Sequence, residues 1–318
     1  MKKLIPVRVI YRSKFVQYPL MAAMEACHAW ERAGLDLVYF DFVAGVKKSD
    51  PMLINGEVDF IFGSHFSPYL HRAKGIPMVY VGQTVNWVDD VLVTAKPINS
   101  LAELKGKVIA DKDADITTNH PHGNHRLYLQ QAGIDLSQVN FLETGRSYKP
   151  HKAVLDGKAD AAIVSPPYDL YAQEDGLYVT RLPYLPMVVA TTLTTMQHIT
   201  DQQPEMVMAV IRAVRYGIQF FKNEEKQMLR LMEEKIGPTL GVKSQDVMHS
   251  LYYRNRLLYN ESLYPRLDSI DNAFKLACFI DPNLHEKIHP IQLWDMHFLR
   301  QLEMMEEGST TTGGSIAK

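Results

Sequence analysis

Short apolar runs alternate with stretches of helical period through the first 190 residues, and that alternation predicts an α/β protein with largely parallel sheets. Val7–Ile10 reads as a strand. Tyr18–Ala33 reads as a helix, with Pro19 suited to its first turn and Gly34 to its C-terminal stop. Leu35–Phe40 is the next strand, followed by a short helix around Met52–Ile54, and Phe60–Phe62, Met78–Gly82 and Val91–Ala95 continue the alternation. A second block then restates the first. Ser100 caps Leu101–Leu104, Lys107–Ala110 is a strand, His125–Ala132 is a helix stopping at Gly133, and Val139–Leu142 and Ala161–Val164 are strands.

The repeat is visible in the residues themselves. Leu53-Ile54-Asn55-Gly56-Glu57-Val58-Asp59 precedes the apolar Phe60-Ile61-Phe62 and then Gly63-Ser64-His65. Val154-Leu155-Asp156-Gly157-Lys158-Ala159-Asp160 precedes Ala161-Ala162-Ile163-Val164 and then Ser165-Pro166-Pro167. Each module is a helix, a glycine stop, an acidic turn, a buried strand and a polar loop, which points to two similar lobes. Asp59 and Asp160 sit where a carboxylate caps the turn into the strand.

From about Asp201 the pattern becomes helical. Asp201 is placed to cap a helix running past Pro204 to Phe221, with Val207, Val210, Ile211, Val214 and Ile218 on one stripe. Ser244–Leu258 and Leu267–Phe279 follow as helices, and the run from Gly308 to Ser315 reads as a flexible polar tail.

Composition narrows the function. With 46% hydrophobic and 22% charged residues in 318, the chain can bury a core for one large or two ordinary domains. A formal net charge of −2 gives no support to a nucleic-acid or anionic-membrane partner. Cys27 and Cys278 are the only cysteines, which excludes a disulfide scaffold, a zinc ribbon and a CxxC pair. Pro6, Arg8, Arg12 and Lys14 interrupt what a leader would need as an unbroken apolar run, so a cytoplasmic location without membrane insertion is the expectation.

The order of these motifs resembles the type II periplasmic-binding-protein fold, in particular its NMT1/THI5-like (SsuA-like) superfamily. Gly34-Leu35-Asp36-Leu37, Asn55-Gly56-Glu57-Val58-Asp59-Phe60, Ala73-Lys74-Gly75-Ile76-Pro77, Ser100-Leu101-Ala102-Glu103-Leu104-Lys105-Gly106-Lys107-Val108 and Asp156-Gly157-Lys158-Ala159-Asp160-Ala161 carry the resemblance, over roughly residues 5–220. It implies two α/β lobes joined by two crossing strands, with ligand in the cleft between them. Residues 1–92 plus 191–300 would form lobe 1 with the C-terminal helices, 93–190 lobe 2, and 301–318 the tail. Most members are receptors that serve transporters, and a minority are cytosolic enzymes. The cysteine-rich run of the family's pyrimidine synthase is absent here, and Gly63 and Ser67 fall where its lysine–histidine pair would stand.

Open α/β sheets bind ligands beyond the carboxyl ends of their strands, and three loops occupy such places. In the first, Gly63 allows close backbone approach, Ser64 can donate to a carboxylate and His65 can act as donor or general acid/base. Alternatively, Ser64 caps a helix and His65 packs against the other lobe. The second is Asn119-His120-Pro121-His122-Gly123-Asn124-His125, where the resemblance implies an anion held at a helix N-terminus. Its histidines could clamp a carboxylate, hold a metal, or simply belong to a capping surface loop; the metal reading is not favoured. Asp111, Asp113 and Asp115 lie nearby but lack the glycine and glutamate of a calcium loop. The third loop begins at Ser165, a potential donor to ligand or a plain helix start. Tyr11 and Trp87 could stack on a planar ligand, and Arg12 could pair with a carboxylate or point into solvent.

Two functions then compete. In one, His65, His120 and His122 serve catalysis in a cytosolic, cofactor-independent decarboxylase or lyase of a carboxylated aromatic or similar small anion. In the other, the chain is a solute-binding protein for a small organic anion, partnered by an ABC permease. The interrupted N-terminus and the clustered histidines tip the expectation to the enzyme.

Overall fold

A computed structural model describes residues 3–63, 66–111, 123–144, 150–188 and 192–311. Twelve strands occur among them: β1 (Ile5–Tyr11), β2 (Leu35–Phe42), β3 (Phe60–Phe62), β4 (Met78–Gln83), β5 (Trp87–Val88), β6 (Val91–Thr94), β7 (Val108–Asp111), β8 (Asn140–Glu143), β9 (Ala161–Val164), β10 (Tyr178–Arg181), β11 (Leu185–Pro186) and β12 (Thr192–Met196). They form two five-stranded sheets, ordered β2-β1-β3-β12-β4 and β10-β6-β9-β7-β8, and one two-stranded ribbon, β11-β5.

Read from the other end, the second sheet is β8-β7-β9-β6-β10, and it matches the first position by position. In each sheet the first three strands are parallel, and the fourth, β12 or β6, runs antiparallel to both its neighbours. β12 and β6 are each inserted between strands of their sheet, after the chain has crossed from the other lobe. The result is the two-lobed type II periplasmic-binding-protein fold with a helical C-terminal region.

The repeated aspartates do the same work in both lobes. The Asp59 N–H donates to the Arg8 carbonyl at 2.9 Å, and its carboxylate accepts the Arg8 N–H at 2.8 Å. Asp160 donates to the Val108 carbonyl at 2.9 Å and accepts the Val108 N–H at 2.9 Å. Each carboxylate, just before the short third strand, thus supplies the acceptor for a backbone N–H of the neighbouring β1 or β7, a group that would be costly to leave unpaired. A basic side chain completes each copy: Arg8 on Asp59 at 2.7 Å, Lys107 on Asp160 at 3.5 Å.

The C-terminal helices complete the first lobe. In the helix Pro204–Asn223, the side chains of Val207, Val210, Ile211, Val214 and Ile218 are fully buried, as the stripe predicts. Each contributes roughly 1.5–3 kcal/mol by leaving water. That helix crosses Lys14–Ala26 closely enough that Gly217 has no room for a side chain, since a Cβ there would overlap Met24 Cγ.

Several elements differ from the sequence reading. Tyr18–Ala33 is two helices, Lys14–Ala26 and Ala29–Ala33, broken at His28 in the left-handed region. The first begins a turn earlier than expected, so Pro19 lies inside it. Asp201 caps nothing: Pro204 opens the long helix after Gln203, while the Asp201 carboxylate accepts from Gln197 Nε2 at 3.0 Å. The final helix, His297–Thr311, runs through Gly308, where a flexible tail was expected; residues 312–318 lie outside the described residues. Among the described residues, no helix is long and apolar enough to cross a membrane.

Gly217→Ala is expected to destabilise the fold by about 1–3 kcal/mol through overpacking. Met24 Cβ, 3.3 Å from the added carbon, leaves the neighbouring side chain little freedom to swing away. A lowered urea midpoint at unchanged slope would confirm it; an unchanged midpoint would mean the helices can part at no cost.

Candidate ligand site at the cleft between the lobes

The loop after β1 is shaped by one glutamine. Buried Gln17, in the first turn of the following helix, accepts the Arg12 and Ser13 N–H groups through Oε1 at 2.6 and 2.7 Å. Its Nε2 donates to the Phe62 carbonyl at 2.7 Å, tying that loop to the end of β3. There Gly63 adopts φ 124°, which a side chain would resist, and its N–H reaches the Thr192 carbonyl. Tyr11 is buried in an aromatic group with Phe40 at 5.2 Å, Phe42 at 5.4 Å and Tyr18 at 6.3 Å.

Arg12 turns inward. Burial lowers its pKa, and the negative charge of Asp50 opposes that shift. Asp50, 1% exposed, pairs with His71 Nε2 at 3.0 Å and accepts from Ser49 Oγ at 3.1 Å. Burial pushes its carboxyl up, but the His71 contact and the Arg12 charge outweigh it and leave the carboxyl below its ordinary range.

The hinge gathers more polar groups. β5 and β11 pair Val88 with Leu185 and Trp87 with Pro186. Buried Asn86 donates to the Tyr264 carbonyl at 2.9 Å and accepts the Arg266 N–H at 3.1 Å, while its own carbonyl accepts Ser269 Oγ at 2.9 Å. Asn272 donates to the Pro186 carbonyl at 2.8 Å, so the C-terminal segment grips both crossing strands. Trp87 is half-buried, with the Arg266 guanidinium 4.5 Å from its ring centre and Tyr184 at 6.3 Å.

Beside this ribbon a cavity of about 100 Å³ is lined by Trp87, Val88, Asp89, Asp90, Ser165, Arg254 and Asn255, with apolar walls from Val16, Leu251 and Leu258. Ser165 Oγ donates to Asp90 at 2.7 Å across the two arms of lobe 2. Arg254, on the helix Gln245–Leu258, donates through Nε to Asp89 at 2.5 Å and through Nη1 to Asp169 at 2.9 Å. Its helix packs Val247, Met248, Leu251 and Tyr252 into the core of lobe 1, whereas Asp169 begins the lobe 2 helix Tyr168–Glu174. One guanidinium therefore bridges lobe 1, the hinge and lobe 2. Burial raises the Asp89 carboxyl above its ordinary value, against the pull of Arg254 and with help from Asp90.

Of the residues singled out from sequence, the structure brings Trp87 and Ser165 to this cavity, and places Tyr11, Arg12 and Gly63 at the strand ends of lobe 1. His125, at the start of the helix Gly123–Gln131, lies with Nδ1 3.4 Å from Asp111. Ser64, His65, Asp113, Asp115, Asn119, His120 and His122 lie outside the described residues. Among the described residues no cluster of three metal-ligating side chains occurs. Sequence reasoning missed Asp89, Asp90, Arg254 and Asn255. The consecutive aspartates after the apolar Trp87-Val88 were the available signal; nothing local marks Arg254 or Asn255.

Arg254→Ala leaves two mostly buried carboxylates without their counter-charge and is expected to cost about 3–5 kcal/mol. Arg254→Ala combined with Asp169→Asn should cost less than the sum of the two single changes, by chemical denaturation. Additive effects would show that the bridge is not an energetic unit. For Asp50, a folded-state pKa below the unfolded value means stability that is present above about pH 4 and lost as pH falls through the folded value. The stability gap between wild type and Asp50→Asn should therefore narrow between pH 6 and pH 3; a constant gap would refute the assignment.

The periplasmic aliphatic sulphonate binding protein SsuA of Escherichia coli has this architecture, with a TM-score of 0.70 and 18% identity over 91% of each chain. A putative sulfonate ABC transporter's periplasmic sulfonate-binding protein from Methylobacillus flagellatus matches 96% of both chains, with a TM-score of 0.70 and 15% identity. A C27S mutant of the desulfurization enzyme DszB, in complex with biphenyl-2-sulfinic acid, matches at TM-score 0.63 and 16% identity, covering 95% of this chain and 100% of its own. No curated protein matches. These likenesses correct the expectation of a cytosolic decarboxylase. Several of the similar structures are solute-binding proteins, two of them periplasmic, and an interrupted N-terminal apolar run does not argue for the cytoplasm. Among the described residues lining the cavity, Ser165 is bonded to Asp90, and Arg254 is paired with Asp89 and with Asp169 of the neighbouring helix. A family profile described as NMT1/THI5 like matches residues 29–227, more than half of the chain, and the protein belongs to that family.

Proposed function

We propose that the protein is a solute-binding protein that captures a small organic molecule between its lobes and delivers it to an ABC-type permease, outside the cytoplasm. The observation that carries this reading is the junction: two sheets of matched strand order, linked through the short β5–β11 ribbon, with a part-polar cavity beside the ribbon. Ligand contacts from both lobes would favour a closed arrangement of the two. The sulfonate-binding proteins of the same fold support it. The fold also carries an enzyme, so the experiment must separate capture from turnover.

Purified protein at known concentration is incubated with a pool of small organic solutes, each followed by mass spectrometry, and scattering is recorded with any compound that binds. One equivalent should be depleted and recovered intact after denaturation, with a smaller radius of gyration in the bound state. Loss of a compound far beyond the protein concentration, with a product appearing, would establish an enzyme instead.

A further inference from the structure

Two adjacent residues of one helix present hydrogen-bond donors that the protein's described groups leave unused. Asn255 is 6% exposed, and its Nδ2 has no partner among the described residues. Arg254 commits Nε and Nη1 to Asp89 and Asp169, while its buried Nη2 has no partner among them either. Both residues line the hinge cavity. A buried donor left without an acceptor is costly, so a group that supplies an acceptor there relieves that cost.

The surrounding charges select the kind of acceptor. The single positive charge is already held between two carboxylates, and a third, Asp90, also lines the cavity. A carboxylate or sulfonate placed against Arg254 would meet that excess of negative charge in a poorly solvated space. A cation would meet the N–H groups of Asn255 and Arg254 end on. An uncharged oxygen suffers neither penalty. The apolar walls at Trp87, Val88 and Leu258 suit the carbon body attached to it.

We propose that the hinge cavity binds an uncharged hydrogen-bond acceptor, a carbonyl or amide oxygen, through Asn255 Nδ2 and Arg254 Nη2. The inference deepens the solute-binding reading and rests on it. It makes the group recognised at the hinge neutral, whatever the remainder of the cleft holds.

Four probes sharing one ring separate the alternatives in calorimetric titrations of the full chain: benzamide, benzoate, benzenesulfonate and benzylammonium. Benzamide should bind at least tenfold more tightly than the three charged probes. Asn255→Asp, which replaces the donor with an oxygen at nearly constant shape, and Asn255→Leu should each weaken benzamide at least tenfold. A crystal structure of the wild-type complex guards against variants that fold poorly, and should place the amide oxygen within hydrogen-bond distance of Asn255 Nδ2. Tighter binding of a charged probe, benzamide bound elsewhere, or no benzamide binding to the wild type would each overturn the proposal. If another solute still compacts the protein at one equivalent, the solute-binding reading stands and only this inference falls. Should no solute do so, the reading itself fails.

Discussion

Everything about the relation between the lobes depends on how the crossing strands are satisfied. A two-residue pairing of Trp87–Val88 with Leu185–Pro186 is too short to hold two five-stranded sheets in register on its own. The segment after the second lobe closes the deficit. Asn260 donates to the Gln83 carbonyl at 3.1 Å, Gln83 N–H reaches the Leu263 carbonyl at 2.8 Å, and Asn86 and Asn272 add the bonds on either side of the ribbon. The helix Leu267–Cys278 then buries Ile270, Ala273 and Phe274 in a cluster that also holds Tyr69 and Tyr80 of one sheet's surroundings and Ile109 and Ile163 of the other. The hinge is thus a short ribbon wrapped by the C-terminal region, and its freedom is set by polar contacts made far along the chain.

What the sequence disclosed follows from this division between local and distant. The two modules ending at Asp59 and Asp160 were legible because a glycine stop, an acidic turn and a buried strand are all written within about a dozen residues. Their shared backbone role, carboxylate to Arg8 and to Val108, spans 51 and 52 residues yet is implied by the repeat itself. The strands β12 and β6 were harder, since their insertion into each sheet depends on a return of the chain that no local pattern records. The break at His28 was invisible for another reason: nothing in the apolar spacing of Tyr18–Ala33 requires the left-handed residue that splits it.

The site was half legible. Strand-end logic found Ser165, and the ribbon's aromatic residue, Trp87, stood out beside Asn86. Arg254 could not be found that way, because its partners lie 165 and 85 residues distant and its own helix reads as an ordinary amphipathic segment. Arg12 shows another limit of local reading: a basic residue at a strand end suggests a ligand clamp, and nothing near it in sequence records that the buried carboxylate of Asp50 acts on its charge.

Charge at the hinge also explains why composition said so little about chemistry. A net charge of −2 over 318 residues averages away the local fact that Asp89 and Asp169 hold one guanidinium, with Asp90 lining the same cavity. Here the charged groups are fastened to one another or to a hydroxyl: Asp90 to Ser165, and Arg254 to Asp89 and Asp169 across the hinge. Groups held in that way fix the geometry of the wall between the lobes, so the charge that composition averages away acts locally, in holding the hinge together.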